Sequence, residues 1–428
     1  MSIAFSLLLA CIVLASGLAI HDGPAARSFI EVMAALALAF AGLSARAHDV
    51  NLAARSTHTL KAAAAIPAIW MMIQILPTPV GAHSIWAYAN EALGRQSWGH
   101  ISIDPGRTIL ALTLYLACIA LLVVAIFVAR DRRRAELILS ALTAITAIAT
   151  LGLLLAKLGL IATASDTNGV LVGLSTLGIL LSLANIVRVL ERNRSEFADP
   201  EAPASSIQTT LIASVVALLV NIGGLGVAAT PNSALVAIFG IVAFGSLQII
   251  RRARLANWAV GMLVATMIIA AALVTLWRFD ATGAVSPLLN FASALSPEAI
   301  SITQRLLFDA RWVGTGAGTF AAAVPIYQDL GSSLTAPPST IALLAIELGM
   351  PMAFLVIAIA VWLTVTLYRG ALRRGRDAFY PAVAAAGTIV LLGGSFCDAS
   401  LTNSGVAIIA STMIGLGLTQ SVSGRDIP

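Results

Sequence analysis

Long apolar runs separated by polar breaks recur along the whole chain. They fall at roughly 3–20, 28–45, 60–77, 107–129, 135–157, 169–188, 207–229, 233–250, 256–277, 339–368, 379–396 and 404–421. Each approaches the ~20 residues that a helix needs to cross a bilayer core. No water reaches backbone N–H and C=O groups there, so helices are the expected form. The pattern predicts an all-α polytopic membrane protein, one helical domain over 1–428 with about 12 transmembrane helices. The first run has no basic segment ahead of it and reads as a retained helix rather than a cleaved signal.

Two breaks are long. One spans 78–106; the larger spans 278–338, between the ninth and tenth runs. Long loops are usually functional or disordered. These contain Trp86, Tyr88, Trp98, Phe291, Phe308, Trp312, Phe320 and Tyr327, which argues against disorder. Short interfacial helices are expected there. The polar stretch 189–206 is a linker halfway along the chain.

Composition supports the spans. Charged residues make up 11 % of the 428, against about 25 % in a soluble domain. That excludes an ordinary soluble enzyme and a disordered chain. The net charge of +5 would suit nucleic acid, but placement argues otherwise. Eighteen of the 25 basic residues lie in one alternating set of loops and termini, predicted cytoplasmic by the positive-inside rule. Both termini fall on that side. The remaining seven are Arg27, Arg95, Arg107, Lys157, Arg278, Arg305 and Arg311, on the side of the two long loops. The expected partner is the bilayer, with no nucleic acid. Cys11, Cys118 and Cys397 form no CxxC pattern, so no disulfide and no zinc or iron–sulfur site is expected.

Charges on the long-loop side are scarce, which makes them candidates for chemistry. Arg305, Asp309 and Trp312 are spaced four and three apart and would share a helical face, with Arg311 nearly opposite Asp309. Gly314, Gly316 and Gly318 then alternate; such glycines make either a sharp turn or an anion-cradling nest. No nucleotide-binding motif accompanies them. Glu347 falls about nine residues into the tenth run, where a carboxylate is costly. It reads as functional or as a helix-packing hydrogen bond. Arg27 and Glu31 suit an i,i+4 pair. His21, His83 and His100 read as interfacial residues on the long-loop side.

The order Arg305, Gly314-Thr-Gly316-Ala-Gly318-Thr-Phe320, then Glu347-Leu348-Gly349 resembles the O-antigen ligase and O-antigen polymerase superfamily of membrane glycosyltransferases. Ser102-Ile103-Asp104-Pro105 is also reminiscent of it. The resemblance implies transfer of an undecaprenyl-pyrophosphate-linked oligosaccharide to a sugar hydroxyl, on a glycan or lipid acceptor. It would take place at the periplasmic face of a bacterial inner membrane, without a cofactor. Other polysaccharide assembly proteins are implied partners. Arg305 and then Arg311 would bind pyrophosphate through forked hydrogen bonds, and Arg107 and Arg278 would complete a basic rim. The glycine nest would lie against the same substrate. Family ligases carry a histidine near the position of Pro338, and this chain has none after His100. A carboxylate, Asp309 or Glu347, would then serve as base. Two other classes stand beside this one: a sugar or lipid-linked oligosaccharide transporter or flippase, and a non-catalytic relative in an assembly complex. A transporter would show internal repeats and broken helices, and no convincing repeat relates the two halves.

Overall fold

A computed structural model of the chain describes residues 1–44, 58–78, 81–94, 98–160, 167–196, 204–253, 288–293, 297–310, 312–328, 336–373 and 377–421. Fifteen α-helices lie in these segments. Helices α1 (Ser2–Ile20), α2 (Pro24–Ser44) and α3 (His58–Ile75) come first. They are followed by the short α4 (Ile85–Leu93) and by α5 (Pro105–Val128), α6 (Arg132–Lys157) and α7 (Asn168–Glu196). Then come α8 (Ala204–Ala228), α9 (Pro231–Ala253), α10 (Pro297–Asp309) and α11 (Phe320–Tyr327). The last four are α12 (Thr340–Glu347), α13 (Met350–Arg373), α14 (Phe379–Cys397) and α15 (Ser404–Ser421).

Ten of these are long and apolar enough to cross a membrane: α1, α2, α5–α9 and α13–α15. The third expected run is a shorter apolar helix, Thr59–Ile75 within α3. The ninth, 256–277, lies outside the described residues. The chain is thus an all-α polytopic membrane protein. Short helices do stand in both long breaks, as the aromatic content predicts.

The tenth run is not one helix. It is α12 and α13, broken at Gly349, whose φ is +88°. A Cβ there would meet the Trp312 carbonyl oxygen at 2.3 Å. Pro351 adds a second reason: it has no N–H to extend a helix, yet is tolerated in the first turn of α13. Glu347 is therefore the last residue of a short helix, ahead of the spanning helix, rather than a mid-membrane carboxylate.

Polar contacts sort the helix ends into two sets. At one end Arg132 pairs with Glu136 and Asp377, Arg192 with Glu136, and Gln420 Nε2 donates to Ala129 O. This is the arginine-rich end. At the other, Lys157 Nζ donates to Asn168 Oδ1 and Val227 O, and Thr230 Oγ1 meets Ser293 Oγ. This is the long-loop end. Arg27 lies there too, but it forks onto Asp22 at 2.5 and 2.6 Å, not onto Glu31. Asp22 also accepts the Ser404 N–H at 3.1 Å, so it caps the start of α15 while holding the α1–α2 turn. In the bundle core small residues permit close approach. A Cβ on Gly405 would lie 2.3 Å from Ala15 O.

Over the long-loop end lies a separate apolar cluster. It joins Leu289, Ile302, Leu306, Phe320, Ile341 and Ile346. It seats α10 against α11 and α12, and leaves Arg305, Phe308 and Asp309 on the exposed side of α10.

Candidate functional site

Four stretches distant in sequence form one buried knot at the long-loop end: Gln74, residues 102–108, residues 313–320 and residues 346–349. The second begins helix α5. Asp104 accepts the Arg107 N–H at 3.1 Å as N-cap, and Pro105 occupies the first helical position, where a missing N–H costs nothing. Ser102 Oγ meets Thr108 Oγ1 at 2.7 Å.

The glycine stretch threads between this cap and α12. Ile103 N–H donates to Thr315 O at 2.8 Å, and Thr315 N–H to Ile346 O at 2.9 Å. Gly316 N–H then donates to Glu347 O at 3.0 Å. Gly314, Gly316 and Gly318 have φ of +78°, +107° and +75°. A Cβ on Gly316 would lie 2.3 Å from Ser102 Oγ, and one on Gly314 2.2 Å from Glu347 O. Glycine is required here both by backbone hand and by space.

What the nest holds is the chain's own carboxyl group. Gly318 N–H donates to Glu347 Oε2 at 2.8 Å and Phe320 N–H to Oε1 at 3.0 Å. Glu347 is 7 % exposed. Burial pushes its carboxyl up to about 7, against the two N–H donors, which favour the charged form. Gln74, fully buried in the last turn of α3, completes the knot. Its Nε2 donates to Val313 O and Glu347 O, each at 2.9 Å, and its Oε1 accepts from Ala317 N–H at 3.2 Å.

Beside the knot, α10 presents exposed Arg305 and, one turn on, Asp309. Among the described residues Arg305 has no ion pair. Asp309 Oδ2 accepts the Tyr327 hydroxyl at 2.6 Å. Burial, and then the Asp309 carboxylate, push Tyr327 up to about 12. The 78–106 stretch comes to the same place. His83 N–H donates to His100 O at 2.9 Å, and His83 Nδ1 accepts from Ile85 N–H at 3.3 Å. Burial lowers the His83 pKa, and the charge of Asp309 opposes that shift. The two long segments meet where Ile103 N–H donates to Thr315 O, and the charge of Asp309 is felt at His83.

Neither family models nor curated proteins match this chain.

The expected residues distribute as follows. Arg305 and Asp309 share the exposed face of α10. Trp312 lies past the end of that helix, although it too is exposed. Arg107 is paired with Asp104 at 3.5 Å, both half-exposed. Glu347 is bonded within the knot, its carboxyl to the Gly318 and Phe320 N–H groups and its carbonyl to the Gly316 N–H. Arg278 and Arg311 lie outside the described residues. The sequence assigns no role to Gln74 and marks Tyr327 only as one of the loop aromatics. For Gln74 the signal was a lone amide inside an apolar run.

Proposed function

We propose that the chain is a membrane glycosyltransferase of the polysaccharide polymerase or ligase type. It would take an oligosaccharide from a lipid pyrophosphate carrier and pass it to a sugar hydroxyl. One observation carries the reading. The strings behind the sequence resemblance, 102–105, 314–320 and 347–349, interlock directly under the helix that bears Arg305 and Asp309.

In this reading Arg305 binds pyrophosphate oxygens and neutralises the leaving group. Asp309, oriented by Tyr327, takes the proton of the acceptor hydroxyl. The acceptor oxygen bonds to the anomeric carbon as the carbon–oxygen bond to pyrophosphate breaks. Glu347 and the glycines act as the clamp beneath, holding α10 against the bundle, rather than touching substrate. The long-loop end would face the periplasm of a bacterial inner membrane, with the arginine-rich end cytoplasmic.

A second reading, a non-catalytic relative within an assembly complex, is favoured by the lack of any histidine after His100 and by the enclosure of Glu347. One experiment separates them. In cells lacking the gene, wild-type chain should restore polysaccharide on gels and Arg305→Ala should not, at equal membrane abundance. Single-unit products in the deletion mean polymerase; polymer not attached to its acceptor means ligase. Full restoration by Arg305→Ala removes the pyrophosphate role.

A further inference from the structure

The exposed side of α10 and the turn that follows it carry more than Arg305. Phe308 is 76 % exposed and Trp312 67 %. Large aromatics this exposed would be costly on a water-facing surface, and their depth relative to the bundle can be read from the residues beneath. The Trp312 backbone packs on Gly349, one residue before spanning helix α13 begins. Val313 O accepts from Gln74 in the last turn of α3. Gly318 lies against Arg107 O in the first turn of α5, where a Cβ would come within 3.0 Å. Three apolar helices thus end at the level of Trp312.

The apolar surface continues below it. Phe354, one turn into α13, is 63 % exposed, and Ile69 and Met72 of α3 and Leu76 just past its end are exposed as well. In a polytopic bundle such exposed apolar side chains are the ones available to lipid. Aromatic side chains, and tryptophan above all, favour the zone where acyl chains meet headgroups. Arg305 lies on the same exposed face, one turn before Phe308 and Asp309, with a side chain long enough to reach phosphate while its stem stays apolar.

We infer that the Phe308–Trp312 edge docks into the headgroup–acyl boundary of the leaflet at the long-loop end, with phospholipid as its partner. The edge continues the lipid-facing surface of α3 and α13 upward. It holds α10 down on the membrane, and puts Arg305 at the depth of lipid phosphate. The inference stands whether or not the chain transfers sugars.

The test is a depth measurement on the full chain in liposomes of phosphatidylethanolamine and phosphatidylglycerol. Phe308→Cys, Trp312→Cys and Phe354→Cys are made with Cys11, Cys118 and Cys397 replaced by Ala, and each is labelled with an NBD fluorophore. At 308 and 312 a lipid nitroxide near the headgroup should quench several-fold more than one near the chain end. At 354 the deeper nitroxide should quench more strongly. Water-like emission with no lipid quenching at 308 and 312 overturns the proposal. So does self-quenching that disappears on dilution with unlabelled chain, which would mean that a second copy covers the edge. Where the cysteine-free chain does not fold, wild type is compared with Trp312→Phe in brominated lipid. The difference in intensity must then be quenched by bromine near the headgroup; an unquenched difference overturns the proposal equally.

Discussion

Gly318 donates its backbone N–H to Glu347 Oε2 at 2.8 Å, so a glycine turn and a helix end nearly thirty residues later are joined by a charge-accepting bond. The acid sits at the C-terminus of α12, where the helix dipole disfavours it. The nest N–H groups offset that. The bond matters because the glycine stretch connects α10, with Arg305 and Asp309, to the rest of the bundle.

Gly316→Ala should break this connection. The residue has φ of +107°, and a Cβ would overlap Ser102 Oγ at 2.3 Å. Backbone strain of about 1–2 kcal/mol adds to overpacking of similar size. Gly17→Ala is the control: nothing lies within 4 Å of the added methyl, and a glycine in the last turn of α1 is replaced. It should stabilise by about 0.5–1 kcal/mol. Thermal unfolding in detergent micelles reads both. Equal Tm values for the two variants would mean that the glycine stretch is not packed in this way.

Glu347 also makes stability depend on pH. Its folded pKa, about 7, lies above its ordinary value of 4.5, so the folded chain binds the proton more tightly than the unfolded one. Its contribution is fully present below 4.5 and is lost as pH rises through about 7. A difference of that size corresponds to roughly 3 kcal/mol. Wild type should therefore lose Tm relative to Glu347→Gln between pH 5 and pH 8. Parallel curves for the two chains would show that the carboxyl does not titrate there.

The spans were legible because a bilayer imposes one length on every apolar run, and α1, α5 and α14 have little choice of form. The break at Gly349 was not. Residues 339–368 read as one unbroken apolar run; Pro351 alone is compatible with a helix start or a kink, and the neighbouring Trp312 carbonyl shows why the chain must turn at Gly349. The alternating glycines announced positive φ, and all three have it. What fills the nest was hidden, because an internal carboxylate and a bound anion demand the same amides. Gln74 donates to Val313, 239 residues away, and Asp22 caps Ser404 across 382. Partners at such distances leave no periodicity to read. Arg27 chose Asp22 over Glu31 because the turn before α2 brings the aspartate within forked reach.

Asp309 and Tyr327 give a graded expectation for transfer activity. Removing a general base typically costs 10²–10⁴-fold, so Asp309→Asn should lower polymer or ligated glycan by about 100-fold or more. Tyr327→Phe leaves the carboxylate and removes only the 2.6 Å bond that orients it, so its loss should be smaller. Quantified gels from cells with matched membrane levels provide the comparison. If Asp309→Asn transfers as wild type does, Asp309 is not the base.

Asp22 is a structural junction far from α10 in sequence, and its removal should be felt as stability. Asp22→Ala leaves the Arg27 fork and the Ser404 N–H and hydroxyl without their acceptor. A lost set of partly buried, charge-assisted bonds costs on the order of 1–3 kcal/mol. Asp22→Glu should recover part of it. A Tm for Asp22→Ala equal to that of wild type would mean the junction contributes nothing to holding α15 against the α1–α2 turn.

Orientation can be tested at two exposed positions on opposite ends of the bundle. Tyr88 stands on α4 in the first long segment, and Asp131 caps α6 among Arg130, Arg132, Arg133 and Arg134. The arginine-rich end should be the one retained in the cytoplasm, because short basic loops resist translocation. A membrane-impermeant thiol reagent applied to intact cells should then label Tyr88→Cys, and should label Asp131→Cys only after permeabilisation. Cys11 and Cys397 are buried, and the unmodified chain supplies the background from Cys118. The reverse pattern would put Arg305 and Asp309 in the cytoplasm. There a carrier whose glycan is displayed outside would never reach them, and the transferase reading would fail together with the topology.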